Sequence, residues 1–339
     1  MKLSVVMPSH NVGRHVNLNI LNACSMGGSE VEVIIRDNSG NPEKRDFLSR
    51  IQTTNCRILS VDECPGEENT KRLIDEATGE FVFFIADDDY ANSYAIPSIL
   101  AEIDLIRDDP AIVGTTGIMI VDDTPQTYFV CFDDLNKPDP VDRFQSFLRG
   151  YWPSVFQYSP VRLSALRDIW SFSSTLPVYV CYHDLLMNCM LLMHGRLTYR
   201  QRFLYQYYNA NWSSPEQHLN SEANSFRNAG LDVSAVRVQW LIAAFEGAQT
   251  FASKYQRVQL PQEQRQALAF CWFNRWFPEL RKVASRQVKG AKFDMQAQQL
   301  AGKWQTKKLV SLPELLTDIS EYYALTSPEI GQRYYNFWR

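Results

Sequence analysis

Short apolar runs of strand length alternate with helical segments in the first part of this 339-residue chain, and this alternation limits the folds open to it. Each run is rich in β-branched and aromatic residues and ends at polar or turn residues. The pattern predicts an α/β fold, a mostly parallel sheet flanked by helices on both faces. The predicted strands are LSVVMP (3–8), VEVIIR (31–36), CRILSV (56–61) and FVFFIA (81–86), and the helical segments between them are Val16–Cys24, Glu43–Gln52 and Thr70–Ala77.

A second part follows in which the strand pattern disappears after Leu231. The charge changes near the same place: residues 1–224 hold 18 Lys and Arg against 29 Asp and Glu, whereas residues 225–339 hold 16 against 9. We therefore predict an α/β domain over residues 1–224 and an all-helical extension over 225–339. The predicted helices of the extension are Ser234–Gln256, Pro261–Phe277, which Pro278 should end or kink, Pro313–Leu325 and Pro328–Trp338.

The composition excludes several classes of protein. The formal net charge is −4, without the basic excess that follows a phosphate backbone, so no nucleic-acid partner is expected. The seven cysteines form no CxxC pair, which argues against a disulfide framework and a structural zinc site. No apolar stretch has the length of a signal peptide or a membrane span. These features are typical of a cytoplasmic globular protein.

Unusual polar residues follow three of the predicted strands. The first strand ends at Pro8-Ser9-His10-Asn11, the second at Asp37-Asn38, and the fourth runs directly into Asp87-Asp88-Asp89. Ligands of such sheets bind at the carboxyl ends of the strands. Three adjacent carboxylates repel one another unless they are compensated, and a hard cation such as Mg²⁺ or Mn²⁺ would compensate them. The alternative is a solvated acidic turn that breaks the strand.

Taken in order, VVMPSHN, VIIRDNSGN and ATGEFVFFIADDDY resemble the nucleotide-sugar-binding half of family 2 glycosyltransferases, which have the GT-A fold. That family has a first strand ending in Pro-Thr/Ser-aromatic-Asn, a second ending in Asp-Asp/Asn-x-Ser, and an Ala-x-Gly-Glu strand that enters an Asp-rich metal motif. The resemblance covers residues 3–95 well and extends loosely to about residue 215. It implies a GT-A (Rossmann-like) catalytic domain with a nucleotide-sugar-binding half, 1–95, and an acceptor-side half, 96–224.

The resemblance also implies roles for the strand-end residues. The turn formed by Pro8, Ser9, His10 and Asn11 would border the nucleotide base of a UDP-sugar. Asp37, followed by Asn38, would accept a hydrogen bond from uracil, and Asp87 would contact the ribose. Asp88 or Asp89 would bind the Mn²⁺ or Mg²⁺ ion that bridges the diphosphate.

In its nucleotide-sugar-binding half, this chain departs from the family pattern at three places. Arg36 stands where the family often has an acidic residue, and Ala86 stands where it often has a leading Asp. The family's Arg-Asn pair is displaced here to Asn69–Arg72, so that Arg72 is the nucleotide-binding candidate of this segment.

An inverting transferase also needs a general base for the acceptor hydroxyl. In the family, the base is a carboxylate about a hundred residues after the metal motif, at the start of a helix. Asp184 matches that place, preceded by a strand-like PVYVCY segment and followed by an apolar helix, although His183 stands where the family more often has Glu. The alternative is that Asp184 only caps the helix, and Asp168 is a weaker candidate for the base.

Two further segments bear on the acceptor and on partners. Aromatic residues between Tyr151 and Tyr158 could stack on sugar rings or simply pack in the core, and Arg200, Arg202 and Asn211 are candidate diphosphate contacts. A basic stretch over residues 275–308 is interleaved with aromatics, which suggests a peripheral contact at the inner face of a membrane. Those aromatics would otherwise pack against the catalytic domain or against a second subunit of a homo-oligomer. They are Trp272, Phe273, Trp276, Phe277 and Trp304.

The leading hypothesis is a metal-dependent, inverting transfer of a sugar from a UDP-sugar to a hydroxyl of a saccharide or lipid-linked saccharide, in cell-surface polysaccharide synthesis. A non-catalytic scaffold subunit that keeps the fold is the alternative from another class. A sugar nucleotidyltransferase would carry a Gly-rich loop with Arg and Lys after the first strand, and Pro8–Gly13 lacks it. No G-x-G-x-x-G follows any predicted strand, which disfavours a dinucleotide-dependent oxidoreductase.

Overall fold

A computed structural model describes residues 1–51, 53–123, 126–131, 135–150, 158–208, 214–284, 292–305 and 311–339. It divides into two compact units. The first unit contains Met1–Ser174 and Met187–Ala210, and the second contains Thr175–Leu186 and Asn211–Arg339. The domain boundary at residue 224 stays a prediction.

The first unit is built around one sheet, to which the described residues contribute nine strands. Its order is β3-β2-β1-β4-β8-β6-β9-β5, with β7 paired to β6. The strands are β1 (Leu3–Ser9), β2 (Val31–Asp37), β3 (Cys56–Ser60), β4 (Phe81–Phe84), β5 (Tyr90–Ala91), β6 (Ile112–Asp123), β7 (Gln126–Val130), β8 (Val161–Arg162) and β9 (Arg196–Tyr208).

Strands β3, β2, β1 and β4 are parallel to one another, and β6 is parallel to β9. The short strands β5, β7 and β8 pair antiparallel. The four strands predicted from the sequence are all present, and the mostly parallel α/β sheet is confirmed. The Leu, Val, Ile, Met and Phe residues of β1, β2 and β4 are all buried, as continuous rather than alternating apolar runs predict, whereas the apolar residues of the edge strand β3 are partly exposed.

The helices of the first unit connect these strands. They are α1 (Arg14–Cys24), α2 (Pro42–Ser49), α3 (Gly66–Glu76), α4 (Ile96–Ile106), α5 (Pro140–Arg149), α6 (Leu163–Ser173) and the larger part of α7 (His183–His194). The glycine of the Ala-x-Gly-Glu segment has a packing reason. A Cβ on Gly79 would lie 2.6 Å from the backbone nitrogen of Ser4, so only glycine allows this approach of the β4 entry to β1.

The second unit is helical. It begins with α8 (Pro215–Asn228), which is followed by a 3-10 turn at Val233–Arg237, α9 (Gln239–Gln249) and a π-helical turn at Thr250–Lys254. The remaining helices are α10 (Gln262–Ala284), α11 (Lys292–Gln305), α12 (Leu312–Ala324) and α13 (Pro328–Trp338). The last two helices match the prediction closely. The predicted helix 234–256 is instead three segments, and α10 continues through Pro278 rather than ending there.

The aromatic residues of the basic stretch contribute to the core of this unit. Trp272 and Trp304 are fully buried and Trp276 is 4% exposed, so these three do not form the exposed basic and aromatic surface that a membrane contact would use. The indole nitrogen of Trp272 donates to the Ala243 carbonyl at 2.6 Å, and Trp276 stacks on Trp240. These tryptophans therefore pack within the helical unit itself. Homo-oligomer formation stays a prediction.

None of the helices in the described ranges has the length and apolar character needed to cross a membrane.

Candidate functional site

Three strand ends of the first unit meet at one edge of the sheet. Ser9 at the end of β1 is in register with Asp37 at the end of β2, and the Asn38 amide donates to the Ser9 carbonyl at 2.9 Å. On the other side of β1, the Ile85 amide donates to the Val6 carbonyl. The chain therefore continues alongside β1 after β4 ends and leads to Asp87. The parallel arrangement therefore brings the predicted nucleotide-binding residues together.

A buried lysine that the sequence analysis missed joins these strand ends. The Nζ atom of Lys44 lies 3.0 Å from Asp37 Oδ1 and 3.6 Å from Asp87 Oδ2. It also donates to Ser9 Oγ at 2.7 Å and to the Asn11 carbonyl at 2.6 Å. Because a buried ammonium needs opposite charges and acceptors around it, this set stabilises both the lysine and the two carboxylates.

Local structure fixes the position of Lys44. Gly40 has a positive φ of 65°, which turns the chain sharply after β2. Asn41 then caps α2 by accepting the Lys44 amide at 2.8 Å, and Pro42 occupies the first turn. Lys44 and Leu48, four residues apart, are the buried residues of this helix and share one face. That spacing is the signal that could have identified Lys44 in the sequence.

Asp87 organises the turn after β1. Its Oδ2 accepts from Ser9 Oγ at 2.8 Å and from the amides of His10 and Asn11 at 3.0 Å each. Its Oδ1 accepts from Asn11 Nδ2 at 2.8 Å. Asp87 thus holds the turn from Pro8 to Asn11 in one conformation, while His10 and Asn11 remain exposed at the edge of the sheet.

Asn69 and Arg72, in the same segment of α3, differ in whether they contact Asn38. Asn69 is buried, and its Nδ2 donates to Asn38 Oδ1 at 3.1 Å and to the Arg36 carbonyl at 3.0 Å. Asn38 in turn donates to the Cys64 carbonyl at 2.7 Å. Arg72 lies on the exposed face of α3, where it pairs with Glu68 one turn earlier. Within this segment Asn69, not Arg72, contacts the residues at the strand ends.

Asp88 and Asp89 have different surroundings from Asp87. Asp89 is buried, and it accepts from the Tyr205 hydroxyl at 3.0 Å and from the Tyr208 amide at 2.7 Å, both in β9. Burial raises the pKa of Asp89 to about 7, with the charges of Asp88 and Asp87 adding to the effect. Burial and the charge of Asp87 also raise the pKa of the partly buried Asp88.

The acidic turn offers few ligands for a metal ion from the protein itself. Among the residues that the structure describes, no group of three or more His, Cys, Asp or Glu side chains is arranged to hold one. Asp87 and Asp89 already accept hydrogen bonds from the protein, so Asp88 is the carboxylate least committed to protein contacts. One or two carboxylates suit an ion that takes its other ligands from water and phosphate oxygens. The residues present fit that kind of ion.

Asp184 lies in the second unit, in the first turn of α7. Its Oδ1 accepts from the Tyr179 hydroxyl at 3.3 Å. The preceding His183 is fully buried, with its Nε2 atom 2.8 Å from Glu246 Oε2. The strand-like segment at residues 177–182 does not form a strand. The Val180 amide donates to the His183 ring and the Cys181 amide donates to Ser225 Oγ, so these amides bond to side chains instead of to a neighbouring strand.

Two of the other candidate diphosphate contacts, Arg200 and Arg202, bond to protein groups. Arg200 pairs with the buried Glu102 at 2.6 Å, and Arg202 donates to Ser98 and to Thr115 Oγ1. Asn211 and the aromatic residues of 151–157 lie outside the described residues.

The comparison with protein families matches this part of the chain. Residues 4–150 match the sequence model of glycosyl transferase family 2. The match begins in β1 and includes every residue around Lys44, so the resemblance predicted from the strand ends is confirmed.

Two curated relatives are poly(ribitol-phosphate) β-N-acetylglucosaminyltransferases TarS from Staphylococcus aureus strains Mu50 and MW2. Each is 25% identical over 123 residues, which is 35% of this chain and 22% of the relative. The match therefore spans about a fifth of the length of these relatives.

Solved structures of S. aureus TarS show the same fold. The fragment 1–349 in complex with UDP-GlcNAc matches with a TM-score of 0.59 at 14% identity, covering 99% of this chain and 90% of that one. Its complex with UDP gives a TM-score of 0.58 at 15% identity, with 99% and 89% covered. The longer TarS structure gives 0.57 at 15% identity, and this chain covers 55% of it. The predicted GT-A fold is thereby confirmed.

Proposed function

We propose that this chain is a glycosyltransferase that moves a sugar from a UDP-sugar to a hydroxyl of a saccharide acceptor. The observation that carries the proposal is the meeting of three strand ends on the buried Lys44, within the region that matches glycosyl transferase family 2. Such an arrangement at the carboxyl edge of a parallel sheet is where a nucleotide binds in folds of this kind.

The donor nucleotide is proposed to bind against the turn from Pro8 to Asn11 and the carboxylate of Asp37. Lys44 keeps Asp37 oriented at the end of β2, where a carboxylate oxygen can accept the imide N–H of uracil. Asp87 keeps the turn after β1 in place through its four hydrogen bonds. Because these groups are held before the ligand arrives, binding loses less conformational entropy than a flexible site would.

A divalent cation, Mn²⁺ or Mg²⁺, is proposed to be held by Asp88, with Asp89 as the second candidate ligand. When bound, it would neutralise the negative charge that develops on the leaving nucleoside diphosphate. Asp88 supplies the ligand because the other two carboxylates of the turn are committed to Lys44, Tyr205 and backbone amides.

Asp184 is our candidate for the general base in an inverting mechanism. It would accept the proton of the acceptor hydroxyl as the oxygen attacks the anomeric carbon of the donor. Asp184 lies in the first turn of α7, where the hydroxyl of Tyr179 donates to its Oδ1 atom and orients the carboxylate. The competing role is that Asp184 only favours the start of the helix.

N-acetylglucosamine is the proposed transferred sugar, and a cell-surface polysaccharide or its lipid-linked precursor is the proposed acceptor. The sugar follows from the similarity to TarS, whose name gives an N-acetylglucosaminyl transfer to poly(ribitol phosphate) and whose structure was solved with UDP-GlcNAc. The acceptor class is the one expected from the sequence. Retained fold with no turnover would instead favour the scaffold hypothesis.

The test is release of UDP from UDP-GlcNAc, with Mn²⁺ and a panel of saccharide acceptors. We expect Asp184→Asn to lower turnover by about 10²–10⁴-fold while the Kd for UDP stays within about twofold, since the base acts only on the acceptor. Asp168→Asn, the rival carboxylate in α6, is the matched control and should keep its activity. Full activity of Asp184→Asn would reject Asp184 as the base.

Absence of turnover with every donor and acceptor would not by itself separate an unsuitable acceptor from a scaffold. Hydrolysis of the donor in the absence of acceptor resolves this, because a site that activates the anomeric carbon also transfers the sugar slowly to water. Neither transfer nor hydrolysis, with UDP bound, would overturn the enzyme proposal in favour of a binding subunit.

A further inference from the structure

Two free cysteines of the first unit meet at the edge of the sheet opposite to the strand ends described above. Cys24 is the last residue of α1, and Cys56 is the first residue of β3. Their sulfur atoms are 2.9 Å apart although 32 positions separate them in the chain. Both are free thiols. The nucleotide site involves neither of them.

The backbone around both cysteines is already close. The turn after α1 contains Gly27, and a Cβ there would lie 3.1 Å from Asn55, the residue before Cys56. The Asn55 carbonyl accepts the Val33 amide of β2 at 2.9 Å, which holds this end of β3 in the sheet. A disulfide has a sulfur–sulfur distance of about 2.04 Å. The two thiols therefore need to approach by less than 1 Å, between segments that packing already holds together.

The two thiols differ in access and acidity. Cys24 is 7% exposed, whereas Cys56 is partly exposed. The hydrogen bond between the two sulfur atoms lowers the pKa of Cys56, and the same contact together with burial raises the pKa of Cys24. An accessible thiol with a stabilised thiolate is the one that attacks a disulfide first, and a buried neighbour then resolves the mixed disulfide.

We propose that Cys24 and Cys56 form a reversible intramolecular disulfide by exchange with a low-molecular-weight disulfide such as oxidised glutathione. The Cys56 thiolate attacks one sulfur of the oxidant, forming a mixed disulfide and releasing one thiolate. The Cys24 sulfur, on losing its proton, attacks Cys56, forms the protein disulfide and releases the second thiolate. The two cysteines lose two protons and two electrons, and one disulfide molecule becomes two thiols.

The bond would tie the end of α1 to the start of β3 and close a loop of about 30 residues that contains β2 and α2. A closed loop has fewer unfolded conformations, which stabilises the native state. We expect the oxidised form to melt about 5 °C or more above the reduced form. This device is independent of whether the nucleotide site is catalytic.

The test uses the purified chain equilibrated at several ratios of oxidised to reduced glutathione, followed by alkylation of free thiols and peptide mass mapping. The expected result is a peptide pair joined through Cys24 and Cys56, 2 Da lighter than the sum of the reduced peptides. The joined pair should disappear on treatment with dithiothreitol, and the melting temperature should return to its reduced value. This measurement needs no variant, so a folding defect cannot obscure it.

Three variants extend the test. Cys24→Ala should retain one glutathione on Cys56, because the resolving thiol is gone, and Cys56→Ala should leave Cys24 unmodified. Neither should show the rise in melting temperature. Cys131→Ala, which removes an exposed cysteine elsewhere in the unit, should behave as the wild type. Alkylation of both cysteines at every glutathione ratio, or a mixed disulfide of wild-type Cys56 that never resolves, would overturn the proposal.

Discussion

Asp87 and Asp89 lie two residues apart and are buried to nearly the same extent, at 3% and 4% exposure, yet the protein compensates them differently. Asp87 has the ammonium of Lys44 within 3.6 Å and accepts four hydrogen bonds from Ser9, His10 and Asn11. Asp89 has a tyrosine hydroxyl and one amide, and burial raises its pKa to about 7. Two carboxylates with the same degree of burial are therefore compensated in different ways, Asp87 by a cation and four hydrogen bonds and Asp89 by two neutral donors.

The difference assigns separate roles to the two ends of the acidic turn. The Lys44 side is a rigid, charge-compensated support for the turn after β1. The Asp89 side is poised between its neutral and charged forms near pH 7, where a cation or a ligand could change its state. Four variants test this comparison.

Replacing Lys44 with Met should break the compensated side most strongly. Asp37 and Asp87 would remain buried without their cation, so we expect the free energy of unfolding to fall by about 3–5 kcal/mol. Lys71→Met is the matched control, since Lys71 is exposed on α3 and forms an i,i+4 pair with Asp75. Urea unfolding measures both, and a Lys44 variant as stable as the Lys71 variant would contradict the role assigned to Lys44.

The pH dependence of stability should separate the two carboxylates. Asp89 titrates near 7 in the folded chain and near 3.8 when unfolded, so the folded state binds more protons between these values. Stability from this group is therefore present below about pH 4 and is lost as the pH rises toward 7.

Asp89→Asn removes this titration while keeping an acceptor for the Tyr208 amide. We expect the stability of the wild type relative to Asp89→Asn to fall by roughly 2–4 kcal/mol between pH 4 and pH 8, measured with a chelator present. A difference that stays constant with pH would show that Asp89 does not titrate near pH 7 in the folded protein.

Tyr205→Phe tests the hydroxyl that stands in for a cation at Asp89. This hydroxyl donates to Asp89 Oδ2 and accepts a hydrogen bond from the Ala86 amide at 2.8 Å, so its loss removes one partner from each of these groups. We expect the free energy of unfolding to fall by about 1–3 kcal/mol and the pKa of Asp89 to rise further. NMR of the Asp89 carboxyl carbon during a pH titration measures this pKa. Tyr94→Phe, on an 89% exposed tyrosine, is the control. An unchanged pKa of Asp89 would show that the Tyr205 hydroxyl does not stabilise the charged form of Asp89.

Arg72→Ala should have the smallest effect. Arg72 is exposed and pairs with Glu68 on the same helix, so its loss should change stability by no more than about 0.5 kcal/mol. It is also the nucleotide-binding candidate of its segment that the structure places away from Asn38 and Asp37. Calorimetric titration of this variant with UDP separates the two candidates of the segment. Unchanged affinity for UDP would support Asn69 as the residue that contributes to nucleotide binding, and a tenfold loss of affinity would support Arg72.

The sequence was sufficient for the parts of the site that local pattern determines. Ser9, Asp37 and Asp87 follow strands that are continuous apolar runs, and parallel strands bring their carboxyl ends together. Lys44 was missed because a charged residue in PEKRDFLS normally faces solvent; only its spacing to Leu48 indicates an inward face. Tyr205 was missed because its contact with Asp89 spans 116 positions and depends on the pairing of β5 with β9.

Two segments have surroundings that their composition does not indicate. The PVYVCY segment has the composition of a strand, but His183 and Ser225 take up its amides. The tryptophans near the basic stretch resembled an interfacial surface, yet they fill the core of the helical unit. In both cases, tertiary partners that no local pattern reveals decided the outcome.

The most direct test of the central claim is a calorimetric titration of the wild type and of Asp88→Asn with UDP, each with and without Mn²⁺, with GDP, CDP and dTDP as competing nucleotides. Our account predicts that UDP binds best, that Mn²⁺ tightens its binding, and that Asp88→Asn loses the effect of Mn²⁺ while keeping the metal-free affinity. Absence of UDP binding under all of these conditions would contradict the assignment of the strand ends as a nucleotide site.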